Sequence, residues 1–470
     1  MAIVLKGGKI ITAEKSYDSD IRIEGEKIAS IGKNLTQVGD KVVDVTGCYL
    51  LPGGIDPHTH LELDTGSTIT ADDFKSGTKA AVMGGTTTII DFATQNKGES
   101  LKEALKNWHR KADNKCYCDY GFHMAITEWN KGISDEMKDM VDNGVSSFKM
   151  YMAYKNTLQV DDGAIYEALK RSNEINGLPG FHCENGDVID ILIKENKGKG
   201  NTSPKYHALS RPVEIEREAI NRVVALAEIA KAPVYVVHLS SKVGLECALE
   251  GRKRGVEVYL ETCPQYLLLN DSSYGEDGDF NGAKYVMSPP LRKIEDEEAM
   301  WNGLKNGEID TIATDHCSFN FKGQKELGIE DFSKIPNGAP GIEHRVSLLY
   351  TYGVCENKIS LNQWVELTST NAAKLFGMYP RKGTIEIGSD ADIVIFDPNY
   401  TGVIKAEEQI QNVDYTPYEG FNQKGRIKHV YLRGTSVIED SKLVSLEPKG
   451  DYIHRKPFYK KGSEACIHLT

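Results

Sequence analysis

From residue 51 to about residue 379, short β-branched apolar runs alternate with longer stretches of helical periodicity. After the opening run that ends at His60, the apolar runs fall at 86–92, 119–124, 145–151, 178–182, 233–238, 255–260 and 309–315. Amphipathic stretches at 101–113, 165–176, 214–230, 243–254 and 295–306 lie between them. Strands separated by a helix pair in parallel, because the crossover returns the chain to the starting edge of the sheet. Eight such units over roughly 270–330 residues suit a closed (β/α)8 TIM-like barrel. An open doubly wound sheet is the alternative. Its dinucleotide-binding form has little support, since no Gly-x-Gly-x-x-Gly follows an early strand.

Both ends of the chain have a different texture. Residues 1–50 read as short strands at 10–12, 20–23, 27–31 and 41–45, broken by Gly and Asp turns. The same pattern returns at 382–385, 391–396 and 427–432. Neither half has enough strands to stand alone. We therefore expect 1–50 and 380–440 to form one small β-sandwich, 51–379 the α/β barrel, and 441–470 a polar, Lys-rich tail that packs on a neighbour or hangs loose.

Composition narrows the functional classes. A net charge of −12 without basic runs argues against nucleic acid or anionic membrane as a partner. No apolar stretch approaches the roughly 18–20 residues that span a bilayer, and the first residues lack the charged and apolar regions of a signal peptide. The nine cysteines are odd in number and scattered, and Cys116-x-Cys118 has no second pair. Reduced thiols in a cytoplasmic protein are the expectation.

The apolar runs end in ionisable residues. The first ends in His58 and His60, the fourth carries Lys149, the fifth ends in His182, the sixth in His238 and the eighth in Asp315. Residues i and i+2 of an extended chain point the same way, so His58 and His60 can reach one metal ion. Each residue alone has an ordinary explanation: a histidine at a strand end is usually a satisfied polar group, and an aspartate there is commonly a helix cap. Six such groups on five strands are another matter, because barrel strands converge at their C-terminal ends. His58, His60 and Asp315 could serve one ion and His182 and His238 a second, which is then one ligand short. Lys149 cannot fill that gap as an ammonium, which has no lone pair.

The motifs Pro52-Gly53-Gly54-Ile55-Asp56-Pro57-His58-Thr59-His60, Ser147-Phe148-Lys149-Met150-Tyr151-Met152-Ala153-Tyr154, His182-Cys183-Glu184, His238-Leu239-Ser240 and Thr314-Asp315-His316-Cys317 resemble those of the cyclic amidohydrolases, in particular the hydantoinase/dihydropyrimidinase family. The stretch Lys382 to Asp392 resembles that superfamily's return into its β-domain. The resemblance covers the chain to about residue 440. It implies two divalent metal ions, most commonly zinc, with Lys149 carboxylated on Nζ and bridging them. It also implies a homotetramer or homodimer.

Within that resemblance, Tyr154 matches the tyrosine that donates to the substrate carbonyl oxygen, and Asp315 the proton carrier. Ser288 and Asn337 match positions whose backbone clamps the ring amide, although Ser-Pro and Pro-Asn-Gly form turns in any case. Glu62 stands where dihydroorotases carry a carboxylate-binding arginine. The implied reaction is hydrolytic opening of a five- or six-membered cyclic diamide to an N-carbamoyl amino acid. An allantoinase-like or phosphotriesterase-like hydrolase on the same metal centre is the alternative, and a non-catalytic scaffold the non-enzyme one.

Overall fold

A computed structural model describes residues 2–459. Eight parallel strands form the central sheet in chain order: β1 (Gly54–Thr59), β2 (Thr86–Thr94), β3 (Asp119–Ala125), β4 (Ser147–Tyr151), β5 (Leu178–His182), β6 (Val234–Val236), β7 (Val258–Thr262) and β8 (Thr311–Ile312). The sheet closes where Thr59 bridges His316 and the His60 N–H donates to the His316 carbonyl at 2.8 Å. Buried Arg345 ties the same seam, donating to Ile55 O at 2.8 Å on β1 and Ile312 O at 2.6 Å on β8. The expected TIM-like barrel is therefore observed. Its outer helices follow the periodicity read from sequence. Leu101–Ala112 turns Leu101, Leu105, Trp108 and Ala112 inward, and its first turn is capped by Ser100, which accepts from the Glu103 N–H.

Two strands are shorter than their apolar runs. β6 stops at Val236 and β8 at Ile312, whereas the runs continue to His238 and Asp315. His238 and Asp315 instead adopt left-handed backbone, with φ of 41° and 51°. Non-glycine residues hold that conformation only when their surroundings over-determine it. Buried Asp56 supplies part of the constraint beside Asp315, accepting from the Thr314 N–H at 3.1 Å and the Thr314 hydroxyl at 2.6 Å.

A second, nine-stranded mixed sheet draws on both chain ends. Ile393–Val403 pairs with Tyr49–Pro52, which pairs in turn with Ile3–Ile11. Side chains from both chain ends share one core, in which Leu5, Ile10, Ile21 and Leu50 meet Ile393, Ile395 and Tyr431. This is the β-sandwich expected from the two ends. The chain crosses from it to the barrel at Gly53, where a Cβ would meet Thr87 Oγ1 at 1.9 Å. Only glycine fits that crossing.

Buried ions weld the two units. Lys382 Nζ lies 2.7 Å from Asp119 of the barrel, and 2.5 and 3.2 Å from Asp392 and Asp390. Arg433 also contacts Asp119.

Beyond residue 443 the expectation of a loose or neighbour-bound tail needs correcting. Residues 450–458 run across the N-terminal end of the barrel, hydrogen-bonding to Cys116, Tyr120, Gly144, Asn176 and Gly377 of the same chain. Arg455 is fully buried there and donates to Ser147 Oγ and Phe122 O. A charged head that finds carbonyl and hydroxyl acceptors inside its own chain anchors a segment whose composition alone reads as a tail. Residues 460–470, the remainder of that expectation, lie outside the described residues.

Candidate active site

Every ionisable strand-end residue named above meets at the C-terminal mouth of the barrel. His58 lies at the bottom, fully buried. Its Nε2 is 2.9 Å from Lys149 Nζ and 3.1 Å from Asp315 Oδ1, and His60 Nε2 is 3.4 Å from the same oxygen. On the far side, His182 Nδ1 and His238 Nε2 face each other at 3.0 Å. One donor atom from each of His58, His238 and Asp315 lies within 4.8 Å of the others. The two pairs of histidines thus join Lys149 and Asp315 in one cluster.

Burial shapes the ionisation of these groups. It pushes the His60 imidazolium down to about 4, and it pushes His238 well below the ordinary range. Neutral imidazoles keep a lone pair for a cation. Burial opposes ionisation of Asp315 as well, but the adjoining His58 and His60 outweigh it and hold the carboxyl well below its usual range. Desolvation lowers the Lys149 ammonium to about 8, even with Asp315 and Glu261 favouring its charge. More of this amine is therefore neutral and nucleophilic near neutral pH than of an ordinary lysine.

This donor set suits a divalent cation. His58 Nε2, His60 Nε2, His182 Nδ1 and His238 Nε2 each face another member of this cluster, so all four imidazoles turn a ring nitrogen into the same small volume. Four imidazoles and a carboxylate also offer more electron pairs than the nearby polar hydrogens can use. A second cluster of carboxylates, Asp119, Asp390 and Asp392, has the spacing of a metal site too. There Lys382 Nζ already occupies the centre, so that cluster is an internal ion group.

Two further carboxylates were not singled out from the sequence. Glu261, at the end of β7, accepts from His58 Nδ1 at 2.6 Å, from the His238 N–H at 3.1 Å and from the Tyr235 hydroxyl at 2.7 Å. Glu184 pairs with His182 Nε2 at 2.8 Å. Both orient ligand-type histidines from behind. The signal was present: Glu261 is the first ionisable residue after an apolar strand, the same pattern that marks His238 and Asp315, and Glu184 stands two residues from His182. His123 shows the opposite case. It lies on a barrel strand, yet Ser147 Oγ at 2.6 Å and Pro57 O at 2.8 Å satisfy both its ring nitrogens, so it is structural.

A cavity of about 740 Å³ opens above these groups. His60, Lys149, His182, His238 and Asp315 line its floor, and Tyr154, Ser288 and Asn337 line its wall. Tyr154 has φ of 64°, which turns its ring toward His182, with centroids 5.1 Å apart. Burial pushes its phenol up, so the hydroxyl stays protonated. Asn337 Nδ2 donates to Ser288 Oγ at 3.2 Å. All nine residues named from the sequence therefore belong to one site.

A closed (β/α)8 barrel with a histidine- and carboxylate-lined mouth defines a metal-dependent hydrolase class in which the protein supplies ligands from several strand ends. The chain belongs to the Amidohydrolase family, whose sequence profile matches residues 49–437. It is 50% identical to a D-hydantoinase of Geobacillus stearothermophilus over 459 residues, covering 97% of each chain. It is 44% identical to a D-hydantoinase of Streptomyces coelicolor, covering 99% of each. The crystal structure of dihydropyrimidinase from Brevibacillus agri superimposes with a TM-score of 0.97 at 48% identity, over 98% of this chain and 100% of that one.

Proposed function

We propose that this protein hydrolyses the cyclic amide ring of hydantoins and dihydropyrimidines to N-carbamoyl amino acids, using two divalent metal ions, zinc in the first instance. The observation that carries the reading is the single cavity in which the histidine–lysine–aspartate cluster faces Tyr154, Ser288 and Asn337. Full-length similarity to D-hydantoinases and a dihydropyrimidinase supports the substrate class.

His58, His60 and Asp315 would hold one ion, and His182 and His238 the other. Lys149 would bridge them as a carbamate: its neutral amine attacks carbon dioxide, an N–C bond forms and a proton leaves. The low-lying ammonium described above favours that reaction. When bound, such ions polarise a carbonyl and lower the pKa of water toward neutrality.

The remaining work falls to the chain. Tyr154 donates its hydroxyl hydrogen to the carbonyl oxygen, where negative charge develops during attack. Ser288 and Asn337 hold the ring amide against the cavity wall. Asp315 takes the proton from the attacking water and delivers it to the ring nitrogen as the C–N bond breaks. The products are a carboxylate at the attacked carbon and an N-carbamoyl group. Glu62, standing where a carboxylate-binding arginine would be needed, agrees with a neutral ring as substrate.

A cytoplasmic setting fits the eight described cysteines, all of them free thiols, and among the described residues no helix is long and apolar enough to cross a membrane. Assembly as a homotetramer or homodimer is part of the proposal and is tested by sedimentation. The decisive experiment is turnover on dihydrouracil, both hands of a 5-monosubstituted hydantoin and allantoin, with metal measured on the same sample. Ring opening of hydantoins or dihydrouracil with about two metals per chain is expected. Turnover of allantoin alone, or a metal-free inactive protein, refutes the reading.

A further inference from the structure

Lys325 is fully buried, and nothing in the chemistry above uses it. Its Nζ donates to three backbone carbonyls: Val286 O at 2.9 Å, Pro336 O at 2.7 Å and Gly338 O at 2.7 Å. Among the described residues no carboxylate pairs with it. Placing an ammonium in the interior without a counter-ion is costly, so its position calls for a reason beyond packing.

The three acceptors share a location. Val286 stands two residues before Ser288, and Pro336 and Gly338 flank Asn337. These segments come from separate loops that meet at the cavity wall. Apart from Lys325, two hydrogen bonds among the described residues join them: the Gly338 N–H to Val286 O at 3.0 Å and Asn337 Nδ2 to Ser288 Oγ at 3.2 Å. The Asn337 loop is also confined from the other side. Gly338 has φ of 148°, and a Cβ there would lie 2.4 Å from Cys317 O. One charged head thus gathers three carbonyls that bracket both proposed clamp residues.

We infer that Lys325 is a positioning residue that clips the Ser288 and Asn337 segments together and so sets the width of the amide-binding rim. The inference rests on the proposed cyclic-amide reading, since the clamp is defined by that substrate. Lys325 touches no reacting atom; it acts through the two loops. Three hydrogen bonds converging on one nitrogen restrain both loops in three directions. Desolvation lowers this ammonium to about 7, in keeping with a head held by dipoles alone.

The test is Lys325→Met in the metal-loaded enzyme, with steady-state kinetics on dihydrouracil and a hydantoin, metal content and melting temperature. A clamp that grips the ring in ground and transition state alike acts on KM. The expected result is wild-type metal content, KM raised about tenfold or more and kcat within about threefold. A folded variant with unchanged KM overturns the inference, and so does a loss carried by metal content and kcat. Should the Met variant fail to fold, Lys325→Gln, which keeps two N–H donors, is expected to raise KM by a smaller factor; unchanged KM in that variant overturns the inference equally. A metal-loaded wild type that opens neither ring overturns the functional reading itself. An active wild type with indifferent Lys325 variants overturns only the clip.

Discussion

Replacing Glu261 by Gln isolates one interaction on which the metal site depends. Glu261 is completely buried and touches no part of the cavity surface. Its Oε1 accepts from His58 Nδ1 at 2.6 Å, which fixes the ring orientation and turns Nε2 toward Lys149 and Asp315. The same oxygen accepts from the His238 N–H, helping to hold the left-handed turn there. Glutamine keeps the volume and one acceptor oxygen but removes the charge, and it presents an N–H₂ group near the Tyr235 hydroxyl. Carboxylates behind ligating histidines are worth about 10–100-fold in metal affinity, or about 1.4–2.8 kcal/mol. A 2.6 Å contact is short for N–H···O, which puts the expected loss in the upper half of that range. The assay is titration with a chelator, following bound metal and hydantoin turnover together. The half-loss concentration is expected to fall by about 30–100-fold, KM to stay constant, and added metal to restore most of kcat. Wild-type chelator resistance in a folded Glu261→Gln enzyme would refute the orienting role.

Three further outcomes are expected. Tyr154→Phe should lower kcat by about 10²–10³-fold, as loss of an oxyanion donor does, with metal content unchanged; stopped-assay kinetics on a hydantoin would expose an unaffected rate. Lys382→Met should cost about 3–5 kcal/mol, because Asp119, Asp390 and Asp392 lose the cation at their centre; denaturant unfolding that shifts by less than about 1 kcal/mol contradicts the weld between barrel and sandwich. Glu343, whose carboxyl accepts from the Ile410 and Gln411 N–H groups, is pushed by burial from 4.5 up to about 7. A raised carboxyl pKa means that the folded state binds the proton more tightly. Its stability contribution is complete below pH 4.5 and fades as pH rises toward 7. Glu343→Gln should therefore flatten the fall in melting temperature across that window, and melts at several pH values would reveal a slope that does not change.

Much of this protein could be read in one dimension. Strand and helix periods of two and 3.6 residues repeat within short windows, so the eight-fold alternation and the two sandwich ends are visible before any folding. The residue types at the strand termini are equally plain, and barrel geometry obliges those termini to converge whatever the intervening loops do. His58, His60, Lys149, His182, His238 and Asp315 are legible in the sequence for that reason. Folding alone settled matters that hang on desolvation and on distances between remote segments. The 203-residue separation of His58 from Glu261 hides their contact from any local pattern. The left-handed turns at His238 and Asp315 arise from neighbours that hold them, such as Asp56 beside Asp315. Arg455 and Lys325 look like ordinary surface cations in the sequence, and they became interior anchors because backbone carbonyls from other elements surround their heads. A side chain's neighbours across the chain determine what burial costs it, and a linear sequence lists only its neighbours along the chain.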